Sequence, residues 1–109
     1  MTTTAGALIP SKAVEAVETV QYTSSNVRSI IDNFDVYNGT TDAIPYTVRL
    51  VPSGSTADAS NTLYSRAIAP GETARGVLVG QILEPGDFIS TLAGETGLVH
   101  RASGRKVTT

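Results

Sequence analysis

Arg28-Ser29-Ile30-Ile31-Asp32-Asn33-Phe34-Asp35-Val36-Tyr37 alternates apolar and polar side chains with the two-residue period of a strand. That period puts Ile30, Phe34 and Val36 on a core face, and Ile31 and Tyr37 on a wet face beside Asn33 and Asp35. Asn38-Gly39-Thr40-Thr41-Asp42 has the composition of a turn. The chain returns as Pro45-Tyr46-Thr47-Val48-Arg49-Leu50-Val51, with Tyr46, Val48 and Leu50 in phase, so the two runs are expected to pair as a hairpin.

The same rhythm continues towards the C-terminus. Pro52 to Asn61 holds nothing that could bury itself and reads as an exposed loop before a strand near Leu63 to Ile68. Ala69-Pro70-Gly71-Glu72 reverses the chain. Gly76 to Leu83 is the most apolar window and reads as a buried strand bent at Gly80, with a short helix as the alternative. Glu84-Pro85-Gly86-Asp87 turns into Phe88 to Leu92, and Leu98 to Val107 reads as a last strand interrupted near Gly104. Seven or eight short strands, joined by links mostly too short for helical crossovers, give an all-β fold: an antiparallel β-sandwich of immunoglobulin-like or jelly-roll type. Its expected core is Ile30, Phe34, Val36, Val48, Leu50, Ile68, Leu78, Ile82, Phe88 and Leu92.

Upstream, residues 1–20 differ in composition. A Thr-rich start and Pro10 precede an Ala/Val/Glu stretch whose Val14, Val17 and Val20 would suit a short helix behind Ser11. Ala and Val bury little area, and Thr19-Val20-Gln21-Tyr22-Thr23 already alternates like a strand. The division expected is an extended N-terminal arm over residues 1–20 and the β-sandwich domain over 21–109. On this reading, removing residues 1–17 leaves the domain folded.

The chain has 109 residues, 17% of them charged, with a net charge of −2. One domain with one modest core fits that length. Balanced charge offers no surplus for a nucleic acid backbone or an anionic membrane, so neither partner is expected. With no Cys, thiolate chemistry, disulfides and zinc knuckles are excluded. The first ten residues lack a basic region, and no apolar run reaches the ~18 residues of a membrane span. Synthesis in the cytoplasm without a secretion signal is the expectation.

Candidate chemistry is sparse. His100 is the one imidazole and lies in phase with Leu98 and Ala102, which makes it a strand histidine rather than the base of a Ser-His-Asp site; no Gly-x-Ser-x-Gly motif accompanies it. Strand parity separates Asp32 from Asp35, which argues against paired acid/base carboxylates. Asp58 and Asn61 lack the spacing of a calcium loop. Gly76 and Gly80 form no phosphate-binding fingerprint and read as turn or bulge glycines. Arg101, Arg105 and Lys106 make a basic C-terminal segment, read as a solvated end. No catalytic, cofactor-binding or metal residue is therefore assigned, no cofactor is expected, and the expected mode of action is protein–protein contact rather than catalysis.

Gln21-Tyr22-Thr23, Ile30-Ile31-Asp32-Asn33-Phe34, Leu50-Val51-Pro52-Ser53-Gly54, Ile68-Ala69-Pro70-Gly71-Glu72, the run from Val79 to Thr91 and Ala102-Ser103-Gly104-Arg105 follow one another in an order that resembles small virion structural proteins of tailed bacteriophages and prophages. The resemblance covers roughly Gln21 to Val107, and the run from Val79 to Thr91 is its most specific part. It implies a non-enzymatic capsid decoration or cement protein, located on the outside of the head. The major capsid protein would be its partner, it would act as a homo-oligomer (dimer or trimer), and the arm would make contacts. Alternatives are a tail, neck or head-fibre component and a carbohydrate-binding adhesion module. The family brings no catalytic residues.

Overall fold

In the computed structural model, which describes residues 2–108, nine strands form two antiparallel sheets that stack as a sandwich. Met1 of the expected arm and Thr109 at the basic end lie outside the described residues. The first sheet runs β1 (Thr2–Ala13), β9 (Leu98–Thr108), β3 (Arg28–Asn38), β6 (Thr73–Ala74), with β7 (Ile82–Leu83) also on β3. The second runs β2 (Thr19–Thr23), β8 (Phe88–Ala93), β4 (Ile44–Val51), β5 (Thr62–Ile68). The all-β antiparallel sandwich expected from the alternation is the fold observed.

β3 and β4 do not form the expected hairpin; they lie in different sheets. Asn38 explains the difference. Fully buried, it donates from Nδ2 to the carbonyls of Asp42 (2.7 Å) and Ile68 (2.8 Å), while Oδ1 accepts from Thr40 N and Thr40 Oγ1. A tight turn would keep the strands in one ladder; this bracket instead holds residues 39–43 as an arch between layers. Phe34 and Val36 of β3 thereby meet the core from one side, Tyr46 and Val48 of β4 from the other.

The faces of β3 depart from simple parity too. Its register on β9 steps from Ile31–Gly104 to Asn33–Ser103, so Asp32 is an extra residue, a β-bulge. Before the bulge Ser29 and Ile31 point inward, and after it Phe34, Val36 and Asn38 do. Ile30 is consequently half-buried on the outer side, and Ile31, not Ile30, is the core residue. Gly104 sits opposite this bulge in an unbroken β9; a Cβ there would run into the carbonyl oxygen of Ile30. The expected interruption near Gly104 is thus a close approach of two backbones within a continuous strand.

Phe34, Val36, Val48 and Ile68 are buried as expected. Leu50 and Leu78 are partly buried and pack against the core, Phe88 and Leu92 are half-buried, and Ile82 is 52% exposed. Their neighbours Leu83, Ile89 and Ala93 take the inward positions. The window from Gly76 to Leu83 is neither a buried strand nor a helix before Ile82. It is a turn-rich crossing with positive φ at Gly76, Leu78 and Gly80, laid along β3: Val77 N bonds to Phe34 O, Gly80 N to Ile31 O, and Ile31 N to Gln81 O.

The N-terminal segment is extended, and much of it belongs to the sandwich. β1 pairs with β9 from Thr2–Thr108 to Ala13–Val99, and Leu8, Ile9 and Val14 are buried in the core. Leu8 and Ile9 can both face inward because the register slips at Leu8, a second bulge on the opposite flank of β9. Removing residues 1–17 would therefore take core with it. Only Thr2–Ala7 is exposed throughout.

Candidate functional site

His100 lies inside the sandwich between β9 and β4, consistent with its phase with the buried Leu98 and Ala102. Its Nδ1 is 2.8 Å from the Tyr46 hydroxyl. That hydroxyl has no other partner among the described residues, so Tyr46 donates and the ring carries its proton on Nε2. Nε2 itself has no partner among them. Phe34 and Tyr46 meet the ring edge-on, with centroids at 6.3 and 6.0 Å, and Tyr64 stands edge-on to Tyr46 at 6.2 Å. Burial lowers the His100 pKa to about 4, helped by the nearby Lys12 ammonium and opposed by Glu15. Burial likewise pushes the Tyr46 hydroxyl up. A neutral imidazole sealed behind aromatic rings, bonded to a tyrosine and not to a serine or aspartate, is placed for packing rather than for taking a proton from a nucleophile.

The bulge at Asp32 brings both β3 carboxylates to the outer face, contrary to the parity expectation. Neither is positioned for acid/base work. Asp32 accepts a forked pair of bonds from Arg105 (Nε–Oδ2 3.0 Å, Nη2–Oδ1 2.9 Å), and that guanidinium holds its carboxyl below the usual range. Asp35 stands opposite Arg101 in the β3–β9 ladder. The basic C-terminal residues are thus divided: Arg105 binds Asp32, Arg101 Nη1 reaches the Ser11 hydroxyl at 3.5 Å, and Lys106 lies 5.4 Å from the centre of the Tyr22 ring.

Between these groups the outer face holds an open depression of about 410 Å³, floored by Ala5, Gly6, Ala7, Ser103 and Gly104 and rimmed by Asp32, Asn33 and Arg101. Its floor is small side chains and its rim includes the already paired Asp32, so it offers a ligand little to hold. Asp58 and Asn61 close a capping box around the 3-10 turn Ala59–Asn61: Asp58 Oδ1 accepts from Ser60 N (2.8 Å) and Ser60 Oγ, and Asn61 Oδ1 accepts from Asp58 N. These bonds lower the Asp58 pKa. Among the described residues no cluster of three His, Cys, Asp or Glu side chains could hold a metal.

Sequence reasoning missed the polar braces that hold the layers together. After β1 the chain crosses to the second sheet over residues 14–18, where Glu15 receives Lys12 Nζ and Gln21 Nε2, each at 2.9 Å. These bonds take the Glu15 pKa down to about 2. Gln21 Nε2 also reaches Thr91 Oγ1 at 3.0 Å. Glu18 pairs with Arg49 and accepts from Ser90 Oγ, while Arg49 Nε donates to Asp58 O and Thr62 Oγ1. One arginine thus links the crossing segment to the far loop. Ion pairs at Arg66–Glu72 and Arg28–Glu84 fasten two further turns. Nothing in a strand's alternation distinguishes a bracing glutamate from a solvated one.

No family profile matches the chain, and no curated protein matches it. A solved structure reported under the description of Bacillus endospore appendages, a novel family of disulfide-linked pili, is similar in fold with a TM-score of 0.59. The match covers 98% of this chain and 88% of that one at 14% identity, a level that speaks to the fold alone.

Proposed function

We propose that this protein is a non-enzymatic structural subunit that acts through protein–protein contact, specifically a phage capsid decoration or cement protein bound to the outside of the head and touching the major capsid protein. The observation that carries the structural part is the commitment of His100 and most of the carboxylates to contacts within the sandwich. His100 is sealed in the core, and Asp32, Glu15, Glu18, Glu72 and Glu84 each hold a cation. The fold likeness to a protein described as forming pili supports a structural role more broadly. Assignment to a capsid rests on the ordered resemblance from Gln21 to Val107.

A cement protein stabilises a lattice by linkage. A ligand that binds only the intact assembly adds RT ln(1 + [L]/Kd), roughly 2.7 kcal/mol per site at a hundredfold excess over Kd. Mixing purified protein with undecorated heads tests this reading. Co-sedimentation with heads and a higher breakage temperature are expected; sedimentation only with tails moves the protein to the tail or neck, and binding to neither rejects a virion role. The second reading, a fibre component, draws on the same fold likeness. An adhesion module would stack sugars on exposed aromatic rings, and here Tyr46 is buried and Tyr64 half-buried, with Tyr37 exposed.

A further inference from the structure

We infer that the free edge of β1 from Thr2 to Leu8 is where a second copy of this chain pairs, antiparallel and about a two-fold axis near Ala5. This rests on the structural-subunit reading and names its partner. A sheet edge exposes a row of unpaired N–H and C=O groups, which folded proteins ordinarily blunt with short strands, bulges, charges, proline or a covering segment. Three of the four edges here are treated in this way. β3 is covered by β6, the crossing at residues 76–81 and β7. β2 has five residues with a register slip between Val20 and Tyr22. β5 has a slip at Leu63 and carries Arg66, paired with Glu72.

β1 is different. It spans 12 residues, lies outermost on β9, and keeps an unbroken register from Thr2–Thr108 to Ala7–Ser103. Every residue from Thr2 to Ala7 is exposed, and none is charged or a proline. In an antiparallel ladder alternate residues turn both backbone groups outward, so this stretch presents a ready template.

Its composition selects a second copy as the occupant. Pairing about Ala5 sets Thr2 against Leu8, Thr3 against Ala7 and Thr4 against Gly6, with no charge anywhere in the ladder. Sliding the copies towards the C-terminus brings in Pro10, which has no N–H, and then Lys12 of both chains. Sliding the other way withdraws Leu8 and then Ala7 of both chains from the ladder of described residues. A strand from another protein is selected by side-chain pockets beside the edge, and the one depression bordering Ala5–Ala7 among the described residues is open and lined largely by small side chains. Seven paired residues bury less than the ~1,200 Å² of a standard interface, so the pairing is expected to depend on concentration.

The absence of cysteine gives a background-free test. Single substitutions Thr3→Cys, Thr4→Cys, Ala5→Cys, Gly6→Cys and Ala7→Cys, oxidised in the full-length protein, should give a dimer yield that peaks at Ala5→Cys. Only there do identical residues face each other at a Cα separation of about 5 Å, which a disulfide spans; at Thr3 and Ala7 like residues are offset by four residues, about 13 Å. The double variant Thr3→Lys/Ala5→Lys should lose the concentration-dependent mass increase expected of the native sequence in sedimentation while keeping its melting temperature. A flat crosslinking profile, or dimers that survive both lysines, overturns the inference. Crosslinking to capsid protein in place of a second copy overturns the choice of occupant. A flat profile from protein that still binds heads rejects this edge and leaves the structural reading standing; a peak at Ala5 with no binding to heads does the reverse.

Discussion

The two halves of β1 hang on the same partner strand by the same antiparallel ladder, yet they are held by different forces. From Leu8 onward the strand and its continuation place Leu8, Ile9 and Val14 in the core. From Thr2 to Ala7 every side chain is exposed. In the inner half, burial of apolar area supplies the stabilisation. In the outer half a net gain of ~0.5–1.5 kcal/mol per hydrogen bond is set against ~1–2 kcal/mol of backbone entropy per residue, which comes out near zero. A strand in the ladder is thus not by itself a strand that stabilises the fold.

The junction of the halves is the place to disturb this contrast most. Gly6 pairs with Gly104, whose missing side chain makes room for the Ile30 carbonyl and Leu8. Gly104→Val should prevent folding or lower stability by more than ~4 kcal/mol, because the obstacle is backbone. A well-folded variant by circular dichroism and urea titration would show that the bulge at Asp32 can relax. Within the inner half, Ile9→Ala should cost ~2–5 kcal/mol, read from the urea midpoint; a loss under 1 kcal/mol would place Ile9 outside the core.

The inner half also sits over the titrating centre, since Lys12 pairs with His100. The His100 pKa falls from 6.5 in the unfolded chain to about 4 in the fold. Between those values the unfolded chain binds a proton that the folded chain excludes, so stability is complete above pH 6.5 and declines as pH falls towards 4. The loss is on the order of 3 kcal/mol. Glu15, held at about 2, adds a further decline below 4.5 as it protonates. Urea titrations across pH 4–7 should show the first decline in the native sequence and not in His100→Leu. The variant should also be less stable at pH 7 by ~1–3 kcal/mol, because the buried Tyr46 hydroxyl loses its acceptor. An unchanged pH profile in His100→Leu would assign the decline to another group. The smallest effect is expected in the outer half: removing Thr2–Ala7 should change stability by less than ~1 kcal/mol, and a larger loss would end the distinction between the halves.

The fold class was readable because alternation in β3 and β4 and the Pro-Gly turns report local geometry. β2 and β5 were anticipated to within a residue for the same reason. What stayed hidden depends on contacts across the sandwich. Hairpin and arch share the sequence Asn38-Gly39, and the buried bonds from Asn38 to Asp42 and Ile68 decide between them. Adjacent apolar residues at Ile30-Ile31 and Leu8-Ile9 were the available sign of bulges, since a period-two strand with one wet face has no use for such pairs. The assignment of His100 as a strand residue followed from its phase. Its tyrosine partner, 54 positions away, could not be read from the sequence.

The crossing at residues 76–81 has a consequence for numbers of subunits. By bonding to Phe34 and Ile31 it occupies the far side of β3, so the first sheet keeps a single open side. A sheet that can be extended from one side only accepts one neighbour and then stops. Through β1 the first sheet sets a limit of two, and any trimer or filament has to be built from other surfaces.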